Sequence, residues 1–206
     1  MKPVLTAIAR ASCRTLSLVE SRWLAAALCA VILASVAPAG AHEAKLPEVS
    51  AELEALRAKL AKYKDPMVAI RDGYFSTLTC VQYPDGAMGV HFFNTSLIGP
   101  TPDPDKPQVL MYEPVGGKLR LIAIEWLVPL ATGIEEAPRL FEQTFHGPMP
   151  GHYPVMPKDL RHYDFHVWLF KENPNGLFYG ANPTVNCVGK WPYVVEEAHR
   201  SDAPME

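Results

Sequence analysis

Between residues 75 and 129, short runs of Val, Ile, Leu, Tyr and Phe alternate with turn-forming segments, and this pattern constrains the fold most strongly. The separators are rich in Pro, Asp and Gly, residues that favour hairpins and loops. Strands joined by short turns pair in the antiparallel direction. We therefore predict an antiparallel sheet with strands at 79–83, 87–94, 108–113, 118–129 and, later in the chain, 162–171.

Two short helices are predicted before this sheet. Ser50 is a good N-cap for a helix whose apolar residues recur every three or four positions up to about residue 64. Asp65 and Pro66 supply a second cap and a first helical residue, and the second helix extends through Arg71. The fold class is therefore α+β: two N-terminal helices packed on a curved antiparallel β-sheet, in a single domain.

A long Gly- and Pro-rich segment, residues 130–161, separates the last two predicted strands. It contains His152 within a Gly-Pro-Met-Pro-Gly-His run, which fits neither a regular helix nor a central strand. Structureless segments of this length usually serve as lids or binding loops. Residues 192–206 are polar and are predicted to form a loose tail.

The N-terminus has the pattern of a secretory signal peptide. An apolar run at 23–37 ends in the small residues Ala39-Gly40-Ala41, and it follows basic residues with one acid among them. The basic residues are Lys2, Arg10, Arg14 and Arg22. We predict a signal peptide at 1–41 and a mature domain at 42–206, exported to the periplasm or secreted. An uncleaved membrane anchor is the alternative.

Charge and composition exclude some partners. Removing residues 1–41 takes away four basic residues and one acid, so the formal net charge falls from −3 to −6. An acidic domain without a basic run lacks the electrostatic footprint of a nucleic-acid binder. After cleavage, no integral membrane segment is expected.

Cys80 and Cys187 are the two cysteines that remain in the predicted mature chain. In an exported, oxidising context a single pair of cysteines predicts a disulfide. The alternative is a pair of thiols in a metal site, although the chain has no Cys-x-x-Cys spacing.

Ionisable residues in three predicted strands suggest a site. His162, Asp164 and His166 share one face of their strand by alternation. Glu125 lies in the strongly apolar run Leu-Ile-Ala-Ile-Glu-Trp-Leu-Val. By alternation it shares its face with Leu119, Leu121, Ala123 and Leu127, so it is expected to point inward. His91 lies in a third apolar strand.

If these strands adjoin, His91, Glu125 and His166 form the two-imidazole, one-carboxylate ligand set of zinc hydrolases and non-haem iron sites. The predicted cofactor is a divalent metal such as zinc, iron or copper. His152 and Asp164 are the candidate catalytic residues: His152 as a further ligand or proton carrier, and Asp164 as the partner that orients an imidazole.

Other interpretations fit the same residues. The histidines and Glu125 could form a structural polar network, with Glu125 paired to Arg120, Arg161 or Lys171. The pocket could bind a small polar ligand without turnover, or the protein could have a structural or interaction role in the envelope without catalytic activity. His42, as a mature N-terminus, could bind copper through its amine and ring.

Four sequence runs resemble a group of exported bacterial proteins with no established activity. The runs are Gly86-Ala-Met-Gly-Val-His91, Leu121-Ile-Ala-Ile-Glu-Trp-Leu-Val-Pro129, Gly147-Pro-Met-Pro-Gly-His152 and His162-Tyr-Asp-Phe-His-Val-Trp168. The resemblance covers most of residues 67–187. It implies export and a single domain, and it assigns neither a metal nor a reaction.

Overall fold

The computed structural model describes residues 46–152 and 156–187, together with the backbone of 193–195. The predicted signal peptide, His42 and the end of the tail lie outside these ranges. No helix within them is long and apolar enough to cross a membrane.

The described residues form two helices and nine strands. The helices are α1 (Ala51–Leu60), which continues into a 3-10 turn (Ala61–Lys64), and α2 (Pro66–Arg71). The strands are β1 (Phe75–Tyr83), β2 (Gly86–Phe93), β3 (Val109–Val115), β4 (Lys118–Pro129), β5 (Arg139–Leu140), β6 (Gln143–Thr144), β7 (His146–Met149), β8 (His162–Val167) and β9 (Tyr193–Val195).

Both helices begin at the predicted capping residues. The Ser50 side chain accepts a hydrogen bond from the Leu53 N–H at 3.3 Å. The Asp65 carboxylate accepts one from the Met67 N–H at 2.9 Å. Each cap satisfies a backbone donor that has no partner inside the helix, which fixes where the helix starts.

The main sheet has the order β7-β8-β4-β3-β2-β1-β9 and curls into a half-barrel. All neighbours pair antiparallel except β1 and β9, which are parallel. The five strands expected from the sequence are present as β1–β4 and β8, so the α+β fold with a curved antiparallel sheet is confirmed. β1 begins earlier than predicted, and β8 ends at Val167.

One face of the sheet packs against the helices, and we call it the helix face. Leu53, Leu56 and Leu60 of α1 are buried in the core beneath it. Tyr112 on β3 donates a hydrogen bond from its hydroxyl to the Tyr63 carbonyl at 2.7 Å. The helices are therefore attached to the sheet both by apolar burial and by a buried hydrogen bond.

An aromatic group extends the helix face over β4 and β8. Trp126 and Phe165 lie 5.9 Å apart between ring centroids. Residues from the loops complete the group, with Phe145 and Phe178 5.2 and 5.3 Å from Phe165. The loop segments are thus part of the core on this side.

The long Gly/Pro-rich segment is more ordered than the sequence indicated. It contains the small hairpin β5–β6 and the edge strand β7, which pairs with β8. Pro148 is compatible with this position because an edge strand has one side without ladder partners. The prediction of a structureless loop was therefore wrong for these three short strands.

The tail prediction also needs correction. Tyr193–Val195 pairs in parallel with β1, opposite Cys80, Val81 and Gln82. These three residues extend the sheet where a loose tail was predicted. The rest of residues 192–206 lies outside the described residues.

A disulfide joins Cys80 on β1 to Cys187, as predicted, with a Cα–Cα distance of 5.6 Å. Both cysteines are buried. The bond attaches Cys187 to β1, the strand that also pairs with β9.

Gly89 on β2 is a position where only glycine fits. Its φ is +90°, and a Cβ there would lie 2.4 Å from the Tyr112 carbonyl oxygen. We expect Gly89→Ala to lower the free energy of unfolding by about 2–4 kcal/mol, because left-handed backbone strain adds to a clash with backbone. Urea unfolding measures the change. Gly99→Ala is the matched control, since a Cβ at Gly99 meets nothing within 4 Å; equal stability of the two variants would contradict the expectation.

Candidate functional site

Six ionisable side chains lie together on the face of the sheet opposite the helices. We call them the histidine–carboxylate cluster. Its members are His91, Glu125, His152, His162, Asp164 and His166. Glu125, His162, Asp164 and His166 are each at most 3% exposed.

Strand register brings the carboxylates and imidazoles of β4 and β8 together. Glu125 lies opposite His166, and Leu127 lies opposite Asp164. Directly opposite residues on antiparallel strands project to the same face. The alternation predicted for His162, Asp164 and His166 therefore places all three on the face that carries Glu125.

The pairing of β3 with β4 has a register shift between Met111 and Tyr112. Because of this shift, the residues of β4 before it do not lie on the face that strict alternation predicts. Beyond the shift, Leu121 lies opposite Tyr112, whose side chain is on the helix face. Leu119 and Leu121 therefore do not share the face of Glu125, contrary to strict alternation. Ala123 and Leu127 do, and the polar cluster is confined to one end of β4.

The centre of the cluster is one carboxylate oxygen, Oε2 of Glu125. It lies 3.6 Å from Nε2 of His91 and 3.6 Å from Nε2 of His166. These separations are too long for hydrogen bonds. Among the described residues, neither Glu125 Oε2 nor His166 Nε2 has a hydrogen-bond partner.

Two overlapping groups of donors have a spacing that suits a metal ion. Ligand atoms of Glu125, Asp164 and His166 all lie within 4.8 Å of one another, and so do those of His152, His162 and Asp164. Asp164 belongs to both groups, while His91 belongs to neither. The contact of His91 with the first group runs from its Nε2 to Glu125 Oε2, at 3.6 Å.

The pKa values of the two carboxyl groups diverge. Burial raises the pKa of Glu125 well above its usual value, and the nearby Asp164 carboxylate raises it further. Burial acts in the same direction on Asp164, but the imidazoles of His166, His152 and His162 outweigh it and lower its pKa to about 2. Glu125 is therefore the carboxyl group that holds a proton most strongly, as expected for two acids in one site.

His91, His162 and His166 are neutral at pH 7. Burial lowers the pKa of His91 to about 3 and that of His166 to about 4. Burial also lowers the pKa of His162. A neutral imidazole has a lone pair to offer, which is the form that binds a metal.

His152 reaches the cluster from the Gly/Pro-rich segment. Its Nδ1 lies 3.1 Å from the Tyr83 hydroxyl, within hydrogen-bonding distance, and its Nε2 lies 3.9 Å from Asp164 Oδ2. Its ring meets the His162 ring edge-on, with centroids 5.4 Å apart. His152 thus places part of the Gly/Pro-rich segment against the cluster, and the role of this segment as a lid stays a prediction.

A cavity of about 180 Å³ lies beside the cluster. His91, Glu125 and His152 contribute to its wall, and most of the remaining lining is apolar. The apolar side chains include Val81, Met88, Phe93, Val109, Leu127 and Met156. A volume of this size holds a ligand of about benzene size. Because most of the lining is apolar, the cavity suits a ligand with an apolar part better than a purely polar one.

The structure therefore brings together all five residues named from the sequence: His91, Glu125, His166, His152 and Asp164. Two further contributors were not assigned. His162 was recognised only as sharing the face, and strand alternation was the signal that could have included it. Nothing in the sequence indicates that Tyr83 belongs to the site, because its contact with His152 depends on how the Gly/Pro-rich segment folds.

Two of the alternative partners proposed for Glu125 are engaged elsewhere. Lys171 Nζ donates to both carboxylate oxygens of Glu113, at 2.8 and 2.9 Å. Arg161 donates to the Pro148 carbonyl at 3.0 Å. An ion pair with either residue therefore does not account for the burial of Glu125.

Comparison with known proteins returned nothing: no family model, no curated protein and no solved structure matches this chain.

Proposed function

We propose that this is an exported protein, periplasmic or secreted, that binds a divalent metal ion through Glu125, Asp164 and His166, with His91, which lies beside Glu125, as a further ligand. Zinc, iron and copper are the candidate ions, because the donors are imidazole nitrogens and carboxylate oxygens without a thiolate. Since Cys80 and Cys187 are joined to each other, their sulfurs do not compete with this ligand set.

One observation carries the proposal. Glu125 Oε2 is buried, has no hydrogen-bond partner among the described residues, and is 3.6 Å from the Nε2 atoms of His91 and His166. Two ligands that each lie about 2.1 Å from a tetrahedral zinc ion are separated by about 3.4 Å. The spacing therefore suits atoms that share an ion, whereas an unpartnered buried carboxylate is otherwise costly.

The surroundings of the cluster suit chemistry on a small molecule. Three or four protein ligands leave a coordination position for water or substrate, and a metal lowers the pKa of bound water. His152 is held by Tyr83 beside Asp164, where it would serve either as a proton carrier at the edge of the site or as a further metal ligand. The adjoining cavity would receive a ligand with an apolar body.

The first test is the metal content of untagged protein purified after export, with its N-terminus sequenced in the same preparation. We expect at least one equivalent of zinc, iron or copper by elemental mass spectrometry, and an N-terminus at His42. Apoprotein reloaded with zinc should unfold at a higher temperature, because an ion that binds only the folded state stabilises it by about 2.7 kcal/mol at 100 times its Kd.

The outcomes separate the alternatives. Protein that holds no metal, even after incubation with zinc, iron or copper salts, would overturn the metal site and favour an envelope binding or structural role. Copper that is lost when the chain is extended before His42 would place the ion at the N-terminus instead. An unprocessed N-terminus would contradict the signal peptide.

A further inference from the structure

We infer that the histidine–carboxylate cluster holds two metal ions, with the Asp164 carboxylate bridging between them. The first ion is the one proposed above, and this inference rests on that proposal. The second ion would be bound by His152 and His162, so that the lid segment supplies one of its ligands.

The overlap of the two donor groups is the starting observation. Asp164 shares one group with Glu125 and His166 and the other group with His152 and His162, and all ligand atoms in each group lie within 4.8 Å of one another. A carboxylate has two oxygens and can bind one ion through each. Two-metal sites in enzymes place their ions about 3.5–4 Å apart, a separation that one carboxylate spans.

His162 is oriented in the way that metal ligands usually are. Its Nδ1 lies 3.3 Å from the Leu160 carbonyl oxygen, an acceptor, so Nδ1 carries the proton and Nε2 carries the lone pair. The side chain is fully buried, and Nε2 has no hydrogen-bond partner among the described residues. A backbone carbonyl that fixes the tautomer of a ligating imidazole is the usual outer-sphere contact of a metal site.

His152 has a corresponding arrangement. The Tyr83 hydroxyl lies beside its Nδ1, while its Nε2 faces Asp164 Oδ2 at 3.9 Å. Both histidines therefore have a polar neighbour at Nδ1, and each has a ligand atom within 4.8 Å of one on Asp164. Since His152 belongs to the segment before β8 and His162 to β8 itself, binding of the second ion would fasten the lid to the sheet.

Charge sets the order in which the two ions bind. With neutral imidazoles, one divalent ion is balanced by the carboxylates of Glu125 and Asp164. A second divalent ion leaves a charge of about +2 in a buried site, which requires hydroxide or an anionic ligand beside it. The second ion should therefore bind more weakly than the first, and more tightly when a small anion is present.

The experiment titrates untagged apoprotein with Mn²⁺ and with Zn²⁺, following stoichiometry by calorimetry and elemental analysis, and the Mn²⁺ protein by electron paramagnetic resonance. We expect two equivalents in the wild type, the second at least about tenfold weaker, and the signal of a magnetically coupled Mn²⁺ pair. His162→Ala should reduce the content to one equivalent and remove the coupling. His152→Ala should do the same, and it is the safer variant because His152 lies on the covering segment.

Each result decides between the proposals. One equivalent in the wild type, unchanged in both variants, would overturn the second ion and leave the proposed function standing. Two equivalents that persist in both variants would place the second ion elsewhere and would also overturn the inference. No metal in any of the proteins would overturn the metal site itself, and circular dichroism of each variant shows whether loss of an ion reflects loss of the fold.

Discussion

Replacing Cys80 and Cys187 together by alanine is expected to lower the free energy of unfolding by about 4–5 kcal/mol. The two residues are separated by 107 positions, and on the loop-entropy model a crosslink of that length restrains the unfolded chain by about that amount. Domains of this size are stable by only about 5–15 kcal/mol. The variant should therefore lose a large share of its stability, measured by urea unfolding with tryptophan fluorescence.

The same loss should follow chemical reduction of the wild type, which serves as the control for the alanine substitutions. Reduction leaves both side chains in place, so any additional loss in the double variant reports packing around two buried residues. Wild type whose urea midpoint does not change with reductant would contradict the prediction. It would revive the alternative of a pair of thiols in a metal site.

The strand pattern and the helix caps were predictable from the sequence because they depend on local chemistry. β4 has the predicted bounds, Lys118–Pro129, since it is a long run of apolar residues between turns. The caps at Ser50 and Asp65 are side-chain hydrogen bonds over two or three residues. Neither feature requires knowledge of distant parts of the chain.

The missed strands depend on distant partners. β7 contains Gly147 and Pro148, which have low strand propensity, and it forms because β8 offers an edge to pair with. β9 pairs with β1, more than a hundred residues earlier in the chain, next to the disulfide. Pairing with a distant strand cannot be predicted from the local sequence, so these segments were predicted as loop and tail.

The site shows the same division. Alternation predicted that His162, Asp164 and His166 share a face, and the apolar run around Glu125 predicted an inward carboxylate. The register among β2, β3, β4 and β8 could not be predicted. His91 lies opposite Met111, which lies opposite Ala123, so His91 is offset from Glu125 across the sheet and still reaches it at 3.6 Å. The membership of Asp164 in both donor groups could not be predicted either, because it depends on where the fold brings His152 of the Gly/Pro-rich segment.

The substitution Glu125→Gln should have opposite effects on metal binding and on the stability of the apoprotein. Loss of a ligand should weaken zinc binding by about 100-fold or more, since even outer-sphere changes weaken metal sites by about 10–100-fold. At pH 8 the metal-free variant should be more stable than the wild type by about 1–3 kcal/mol. The reason is that a neutral amide of the same shape replaces a buried carboxyl group whose Oε2 has no hydrogen-bond partner among the described residues.

The pH dependence follows from the direction of the pKa shift. Because the pKa of Glu125 is raised in the folded state, its contribution to stability is present below pH 4.5 and is lost as pH rises towards the folded-state value. His91 and His166 act oppositely: their pKa values are lowered, so stability is lost as pH falls from about 6.5 towards 4 and 3. Both histidines remain in the variant. The difference between wild type and Glu125→Gln therefore isolates the carboxyl group and should grow from pH 5 to pH 8.

Glu113→Gln is the matched control, because Glu113 is also buried but is held by Lys171 at 2.8 Å. Removing that charge should destabilise the protein by about 1–3 kcal/mol and leave zinc binding unchanged. Urea unfolding of the two metal-free variants at pH 5 and pH 8, with zinc titration of each, makes the comparison. If Glu125→Gln were destabilised like the control and bound zinc as the wild type does, Glu125 would belong to a structural polar network. Glu125→Gln is expected to raise the free energy of unfolding of the metal-free protein, and Glu113→Gln is expected to lower it. This difference is expected if Glu125 is a metal ligand, because a buried ligand destabilises the fold when the metal is absent.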